Sequence, residues 1–272
     1  MTASSSSPAS TDGAASAPAA GPAADLAGRL AALRRTGGVL PARDAALLPP
    51  DDAAAWAVQA ETLRLGGGGI AGWKVGAKGD GPIQAAPLPA AGVLPSPATV
   101  ARDGTGALLG LELEIAFRFG RGFAPLGRAW TADEVMAGVE SVCATIEVVA
   151  SRLPGGPKAH APRAALADLL SHGALAVGAP AAYDPDYPFA APASIAFGFD
   201  GADAVAAPGG NPAGDPRRLL PWLVNHCLAR GLPFAAGTLV TAGSYTGLYL
   251  PPGPGTATGR IAGLPPVALT LA

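Results

Sequence analysis

Gly110-Leu111-Glu112-Leu113-Glu114-Ile115-Ala116-Phe117 alternates apolar residues with acidic or small ones, and a period of two is that of a half-buried strand. In an extended chain, side chains two apart share a face. Leu111, Leu113, Ile115 and Phe117 therefore line one face, and Glu112 and Glu114 stand side by side on the other. Neighbouring carboxylates repel, so solvent, a cation or a basic side chain must offset them. The outward polar face of an ordinary half-exposed strand meets that need as well.

Around this stretch the chain reads as α+β, built on a mixed sheet. The alternation continues to Phe119, and Ile70–Val75, Thr145–Val149, Thr238–Ala242 and Val267–Leu271 carry the runs of further strands. Ser194–Phe199 and Ala202–Ala206 flank Asp200-Gly201, a dipeptide suited to a two-residue hairpin turn. Helices are predicted over Asp25–Arg35, where Leu26, Leu30 and Leu33 recur at helical spacing, and over about 52–65, between an acidic start and a glycine run. Thr131 with Glu134 reads as a capping box, and Val135, Val139 and Val142 as the stripe of a helix running to about Cys143. Asp215-Pro216 opens a last helix that runs to Arg230, with Pro221 in its first turns. Residues 1–24, rich in Ser, Ala and Pro, are expected to form a disordered tail and residues 25–272 a single domain.

Composition excludes several functions. The chain carries 18 Lys and Arg against 20 Asp and Glu, a formal charge of −2, which supplies no summed field for a polyphosphate, so nucleic-acid binding is not expected. No apolar run approaches the roughly 20 residues of a membrane-spanning helix, and no membrane partner is expected. Only 14% of residues are charged, so every interior charge is informative. Cys143 and Cys227 are too far apart for a CxxC site; they fit core positions in a protein of the reducing cytoplasm.

Two such interior charges stand out. Glu147 lies in Thr145-Ile146-Glu147-Val148-Val149, where an ionised carboxylate is costly unless it is paired, metal-bound or at a wet strand edge. With Glu112 and Glu114 it could provide half of an octahedral shell for Mg²⁺ or Mn²⁺, leaving positions for water and substrate oxygens. Lys74, in Gly72-Trp73-Lys74-Val75-Gly76, either snorkels to the surface or sits beside carboxylates as a proton donor. Gly67, Gly69 and Gly72 match a dinucleotide fingerprint in letter, but they follow a helix and open a strand, the reverse of what pyrophosphate binding needs. Ser244 is not in a Gly-x-Ser-x-Gly elbow, and His160 and His226 have no acid or cysteine at ligand spacing, so both histidines read as structural.

Taken in order, Gly72 to Gly76, the Glu-x-Glu segment, Ala144 to Arg152, Ser171-His172-Gly173, Gly214-Asp215-Pro216 and Thr241 to Gly247 resemble the 2-keto-4-pentenoate hydratase family. That family includes 2-oxohept-4-ene-1,7-dioate hydratase and 4-oxalocrotonate decarboxylase and belongs to the fumarylacetoacetate hydrolase superfamily. The resemblance runs from about Ala24 to the C-terminus. It implies a mixed β-roll with peripheral helices, a divalent metal on Glu112, Glu114 and Glu147, a catalytic lysine at Lys74, and a homo-oligomer. It also implies a small 2-oxo acid as substrate, chelated through its carboxylate and keto oxygens. Hydration of a 2-hydroxydienoate is the leading expectation; decarboxylation, carbon–carbon hydrolysis of an acylpyruvate, and non-catalytic binding of a 2-oxo acid are the alternatives.

Two positions depart from the family's pattern. Relatives often carry an acid in a Pro-Asp-aromatic-Gly segment, where this chain has Leu88 in a stretch with no ionisable residue, and often an Asn where this chain has Leu169. His172 is a candidate replacement proton carrier. Ser244 and Thr246, in a glycine-flanked turn, are candidates for binding the substrate carboxylate, as well as being ordinary turn residues.

Overall fold

The computed structural model describes residues 21–67, 69–102, 104, 106–205 and 209–272. Helix α1 (Pro22–Thr36) starts earlier than the expected tail boundary at residue 24, because Pro22 presets the first helical φ; residues 1–20 lie outside the described residues. Helix α2 (Asp52–Leu65) is capped by the Asp51 carboxylate, which accepts from Ala54 N. Leu26, Leu30 and Leu40 pack with Val58, Leu153 and Leu166 in a helical layer, each leucine contributing roughly 2 kcal/mol by leaving water.

The strands follow as β1 (Ile70–Gly76), β2 (Gln84–Pro89), β3 (Val93–Pro95), β4 (Ala98–Val100), β5 (Ala107–Phe119), β6 (Val139–Ser151), β7 (His172–Val177), β8 (Ala181–Ala182), β9 (Ile195–Phe199), β10 (Ala202–Asp203), β11 (Leu239–Ser244), β12 (Gly255–Ile261) and β13 (Val267–Leu271). The larger sheet runs β2-β1-β11-β5-β6-β7-β3, with β8 also on β6, and the smaller runs β10-β9-β12-β13-β4. Parallel pairs (β1 with β11, β3 with β7, β4 with β13) sit among antiparallel ones, so both sheets are mixed and the architecture is α+β, as expected. Pro87 and Pro89 are tolerated in β2 because it is an edge strand, where a missing N–H breaks no central ladder.

The short helices α3 (Ala132–Met136), α4 (Pro162–Ala167) and α5 (Leu219–Ala229) complete the chain. The helix expected to run from Thr131 to Cys143 is corrected. The capping box forms, but α3 ends at Met136, and Val139 and Val142 belong to β6. Their spacing fits both periods. Pairing of β6 with β5 along almost its whole length, from Val139 opposite Phe119 to Ser151 opposite Ala107, outweighs one more helical turn. The Asp200-Gly201 turn joins β9 and β10 with Asp200 at φ 50°, while Ala206, expected in that hairpin, lies outside the described residues.

Leu111, Leu113, Ile115 and Phe117 on β5 join Ile146 and Val148 on β6 in the main core, against Phe197, Ala257 and Leu269 of the smaller sheet. Alternation therefore leaves Glu112, Glu114 and Glu147 together on the opposite face. No helix among the described residues is long and apolar enough to cross a membrane.

Candidate functional site

Register brings the charged residues together. Glu112 lies directly opposite Glu147 across β5 and β6, and Glu114 opposite Thr145. On β5's other side, Thr241 pairs with Ala116, but Ser244 pairs with Glu114: three steps along β11 match two along β5. This bulge holds Gly243 at φ 85°, and Asn211 Nδ2 donates to the Ala242 (2.6 Å) and Gly243 (3.2 Å) carbonyls. Without the extra residue Thr241 and Ser244 would face opposite sides. With it, the Thr241 hydroxyl donates to the Glu114 carboxylate and Ser244 lines the cavity beside Glu114.

Lys74 reaches this face from β1, aligned with Thr241. Gly72 makes the approach possible, since a Cβ there would stand 2.1 Å from the Leu239 carbonyl oxygen. Lys74 Nζ donates to both oxygens of Glu147, at 2.7 and 2.8 Å, and to the Leu170 carbonyl at 3.2 Å. His172 Nδ1 lies 2.9 Å from Glu147 Oε1 and donates to it, because the carboxylate only accepts. Glu147 is thus completely buried but held by an ammonium and an imidazole.

The carbonyl presented to Lys74 comes from a strained turn. Leu169, Leu170 and Ser171 have φ of 51°, 51° and 58°, three successive left-handed residues with side chains, at a cost of about 1–3 kcal/mol each. A buried clamp holds them. Asp168 accepts from Arg152 N (2.9 Å) and Nε (2.5 Å) and from Ser151 Oγ (3.2 Å), while Arg152 Nη2 donates to the His172 carbonyl at 3.0 Å.

Each of Glu112, Glu114 and Glu147 offers an oxygen within 4.8 Å of the others. Burial, then the charge of Glu147, pushes the Glu112 carboxyl up to about 7. Burial, then Glu147 and Glu112, pushes Glu114 up to about 8. Burial alone would raise Glu147 too, but Lys74 and His172 outweigh it and hold Glu147 below the usual range. For Lys74, burial acts against the charge, and the three carboxylates overcome it and raise the pKa. Burial lowers His172 to about 4, so the ring is neutral at neutral pH. An all-oxygen donor set short of positive charge is what Mg²⁺ or Mn²⁺ requires, and these residues fit such an ion.

The site opens on a cavity of about 630 Å³, within the range of small-molecule pockets. Lys74, Glu112, Glu114 and Ser244 line it. Composition had not pointed to Lys78 and Gln84, which also line it; both sit in or beside the loop after β1, where no pattern marks a cavity wall. Lys78 is exposed there and has no carboxylate within ion-pairing distance among the described residues. His172 does not line this cavity and stands behind Glu147. Thr246 does not line it either: its hydroxyl accepts from Leu113 N at 3.1 Å and donates to the Gly247 carbonyl at 3.1 Å, which ties the turn to β5. His226 stacks on Trp222 with ring centroids 4.5 Å apart, away from these residues.

No family model matches the chain, and no curated protein matches it in sequence. Solved structures do. 4-Oxalocrotonate decarboxylase from Pseudomonas putida G7, complexed with magnesium and adipate, aligns with TM-score 0.78 at 21% identity, over 92% of this chain and 97% of that one. Fumarylpyruvate hydrolase from Pseudomonas aeruginosa, in complex with Mn²⁺ and pyruvate, aligns with TM-score 0.51 at 17% identity, over 74% and 88%. 5-Carboxymethyl-2-hydroxymuconate delta-isomerase from Mycobacterium smegmatis aligns with TM-score 0.54 at 13% identity, over 75% and 80%. At such identities the likeness speaks for the backbone, and on that ground the chain has the fold of these enzymes, a mixed β-roll with peripheral helices.

Proposed function

We propose that this protein is a Mg²⁺- or Mn²⁺-dependent lyase of the hydratase type, adding water to a 2-hydroxydienoate or 2-oxo-enoate such as 2-keto-4-pentenoate. The observation that carries the reading is the convergence of Glu112, Glu114 and Glu147, with Lys74 beside them, at a cavity large enough for such an acid. Glu112, Glu114 and Glu147 would hold the ion. When bound, it supplies Lewis-acid polarisation of the substrate's keto oxygen and an anchor for its carboxylate.

The chain's own groups do the rest. Lys74, kept charged by three carboxylates, holds a proton at the cavity wall, where it can pass to a carbon or oxygen of the substrate. Glu147, locked between Lys74 and His172, keeps the ammonium in place. Ser244 Oγ, set by the bulge, donates to the Gly247 carbonyl at 3.3 Å and would turn that hydrogen to the substrate carboxylate. Leu88, where relatives often carry an acid, and Leu169, where they often carry an Asn, offer no proton carrier, so Lys74 takes the role that relatives share with a second acid.

A second reading is decarboxylation of a 2-oxo dicarboxylate. The 0.78 likeness to 4-oxalocrotonate decarboxylase supports it, and so does Lys78, a cation on the cavity wall with no ion pair among the described residues and suited to a second carboxylate. Both readings place the protein in the cytoplasm as a homo-oligomer. Following dienol absorbance with Mg²⁺ present, and weighing the product, separates them: hydration gives a product one water heavier, decarboxylation one lighter by carbon dioxide. A product split into two acids, or no turnover of any such substrate, would refute the lyase reading.

A further inference from the structure

Behind His172, on the side away from Glu147, a second cavity of about 190 Å³ lies between α1, α2 and the start of β7. Ala31, Arg34, Thr62, Gly66, Gly92 and Gly173 are among the residues around it. Nothing in the proposed chemistry uses it. Yet three buried polar atoms here have no hydrogen-bond partner: Arg34 Nη1, Thr62 Oγ1 and His172 Nε2. The last lies just behind the cavity wall: a Cβ on Gly92, which lines the cavity, would stand 3.5 Å from it.

Charge is unbalanced as well. Arg34 makes one bond, from Nη2 to the His172 carbonyl at 2.9 Å, and no carboxylate lies within ion-pairing distance of Arg34 or Arg35 among the described residues. Burial, then the charge of Arg152, lowers the Arg34 guanidinium to about 9, and the more distant Asp168 and Glu147, each already paired with another cation, offset only part of this. Leaving such a group unpaired costs more than leaving a neutral one, so water can satisfy the hydroxyl but not the charge.

The three atoms differ in what they ask for. Arg34 Nη1 only donates, and Thr62 Oγ1 can donate. His172, with its Nδ1 hydrogen committed to Glu147, presents Nε2 as an acceptor. Two donors beside one acceptor match an oxyanion that also carries a hydroxyl. We propose that this cavity is a binding site for a small hydroxyl-bearing oxyanion, hydrogencarbonate or hydrogenphosphate, held by Arg34 and Thr62 with its hydroxyl donating to His172 Nε2. Either fits the space, which equals about six waters at ~30 Å³ each.

The test needs no metal and no turnover, so it stands apart from the lyase reading. Metal-free protein is titrated by calorimetry with sodium hydrogencarbonate, phosphate and nitrate at matched ionic strength. One equivalent of hydrogencarbonate or phosphate should bind with millimolar affinity, the tighter naming the ligand, and nitrate, which has no hydroxyl, about tenfold more weakly. Arg34→Met should weaken binding about a hundredfold and Thr62→Val, which keeps side-chain shape, about tenfold. Lys78→Met, in the other cavity, should leave it unchanged. Saturation only above about 50 mM would mark an adventitious ion only and overturn the proposal. So would wild-type affinity in Thr62→Val, nitrate binding as tightly as the other two, or loss of binding in Lys78→Met.

Discussion

Replacing Lys74 by Met keeps the aliphatic stem and removes the ammonium from Glu147. The lost contacts are 2.7 and 2.8 Å long, worth about 6 kcal/mol of attraction at an effective dielectric of about 20. Relief of the lysine's own desolvation offsets part of this. Because the Lys74 side chain is 14% exposed and opens on a cavity, the net loss should be about 3 kcal/mol, the low end for breaking a buried pair. For a chain of this size that lowers the melting temperature by about 6–12 °C.

The pH dependence gives this expectation a sign. In the wild type Glu147 is held below its unfolded value, so it adds stability above that value. In the variant burial dominates, the folded carboxyl binds its proton more tightly than the unfolded one, and stability falls as pH rises through the raised value. Melting curves in EDTA should therefore show a deficit that is small near pH 5 and larger near pH 8. With Mg²⁺ present the variant should still gain stability, while dienol turnover drops by about 10²–10⁴-fold. Melting within about 1 °C of wild type at both pH values, or a deficit larger in acid, would refute the assignment of Lys74 as partner of a buried, ionised Glu147.

Glu114→Gln should lower Mn²⁺ affinity by more than the roughly 10–100-fold that outer-shell changes cost, read by calorimetry on a variant with wild-type circular dichroism. In the metal-free protein Glu112 and Glu114 titrate near 7 and 8, above their unfolded values, so stability should decline as pH rises from about 5 to 8. Mg²⁺ then displaces protons, and its stabilising effect should grow over that window; a Mg²⁺-induced melting shift that is flat with pH would contradict the buried triad. Asp168→Asn breaks a pair buried on both sides and should cost about 3–5 kcal/mol, with faster amide exchange at residues 169–171 if Asp168 clamps the left-handed turn. Gly72→Ala drives a Cβ to within 2.1 Å of the Leu239 oxygen, so β1 must part from β11; a soluble variant with unchanged melting temperature would show that the strands give way freely.

Much of this site was legible before any coordinates, because strand periodicity assigns side chains to faces. Leu111 to Phe119 could alternate only with Glu112 and Glu114 on one side, and Glu147 among β-branched residues could be tolerated only with a partner. The same local logic misread Val139 and Val142, whose spacing suits a helix and a strand equally and was decided by pairing with β5. It also passed over β2, β3 and β7, which are short or rich in Ala and Pro.

Composition and alternation, then, determined which residues were acidic, which face each took and that the chain is α+β, since these depend on neighbours one to four positions away. The tertiary structure alone decided that Glu147 comes opposite Glu112, that a bulge at Gly243 turns Ser244 toward the cavity, that His172 stands behind Glu147 and not before it, and that Arg34 Nη1 is buried without a hydrogen-bond partner. Each of those follows from register and from strand order, which are set by the burial of whole faces across elements far apart in the chain and leave no local trace.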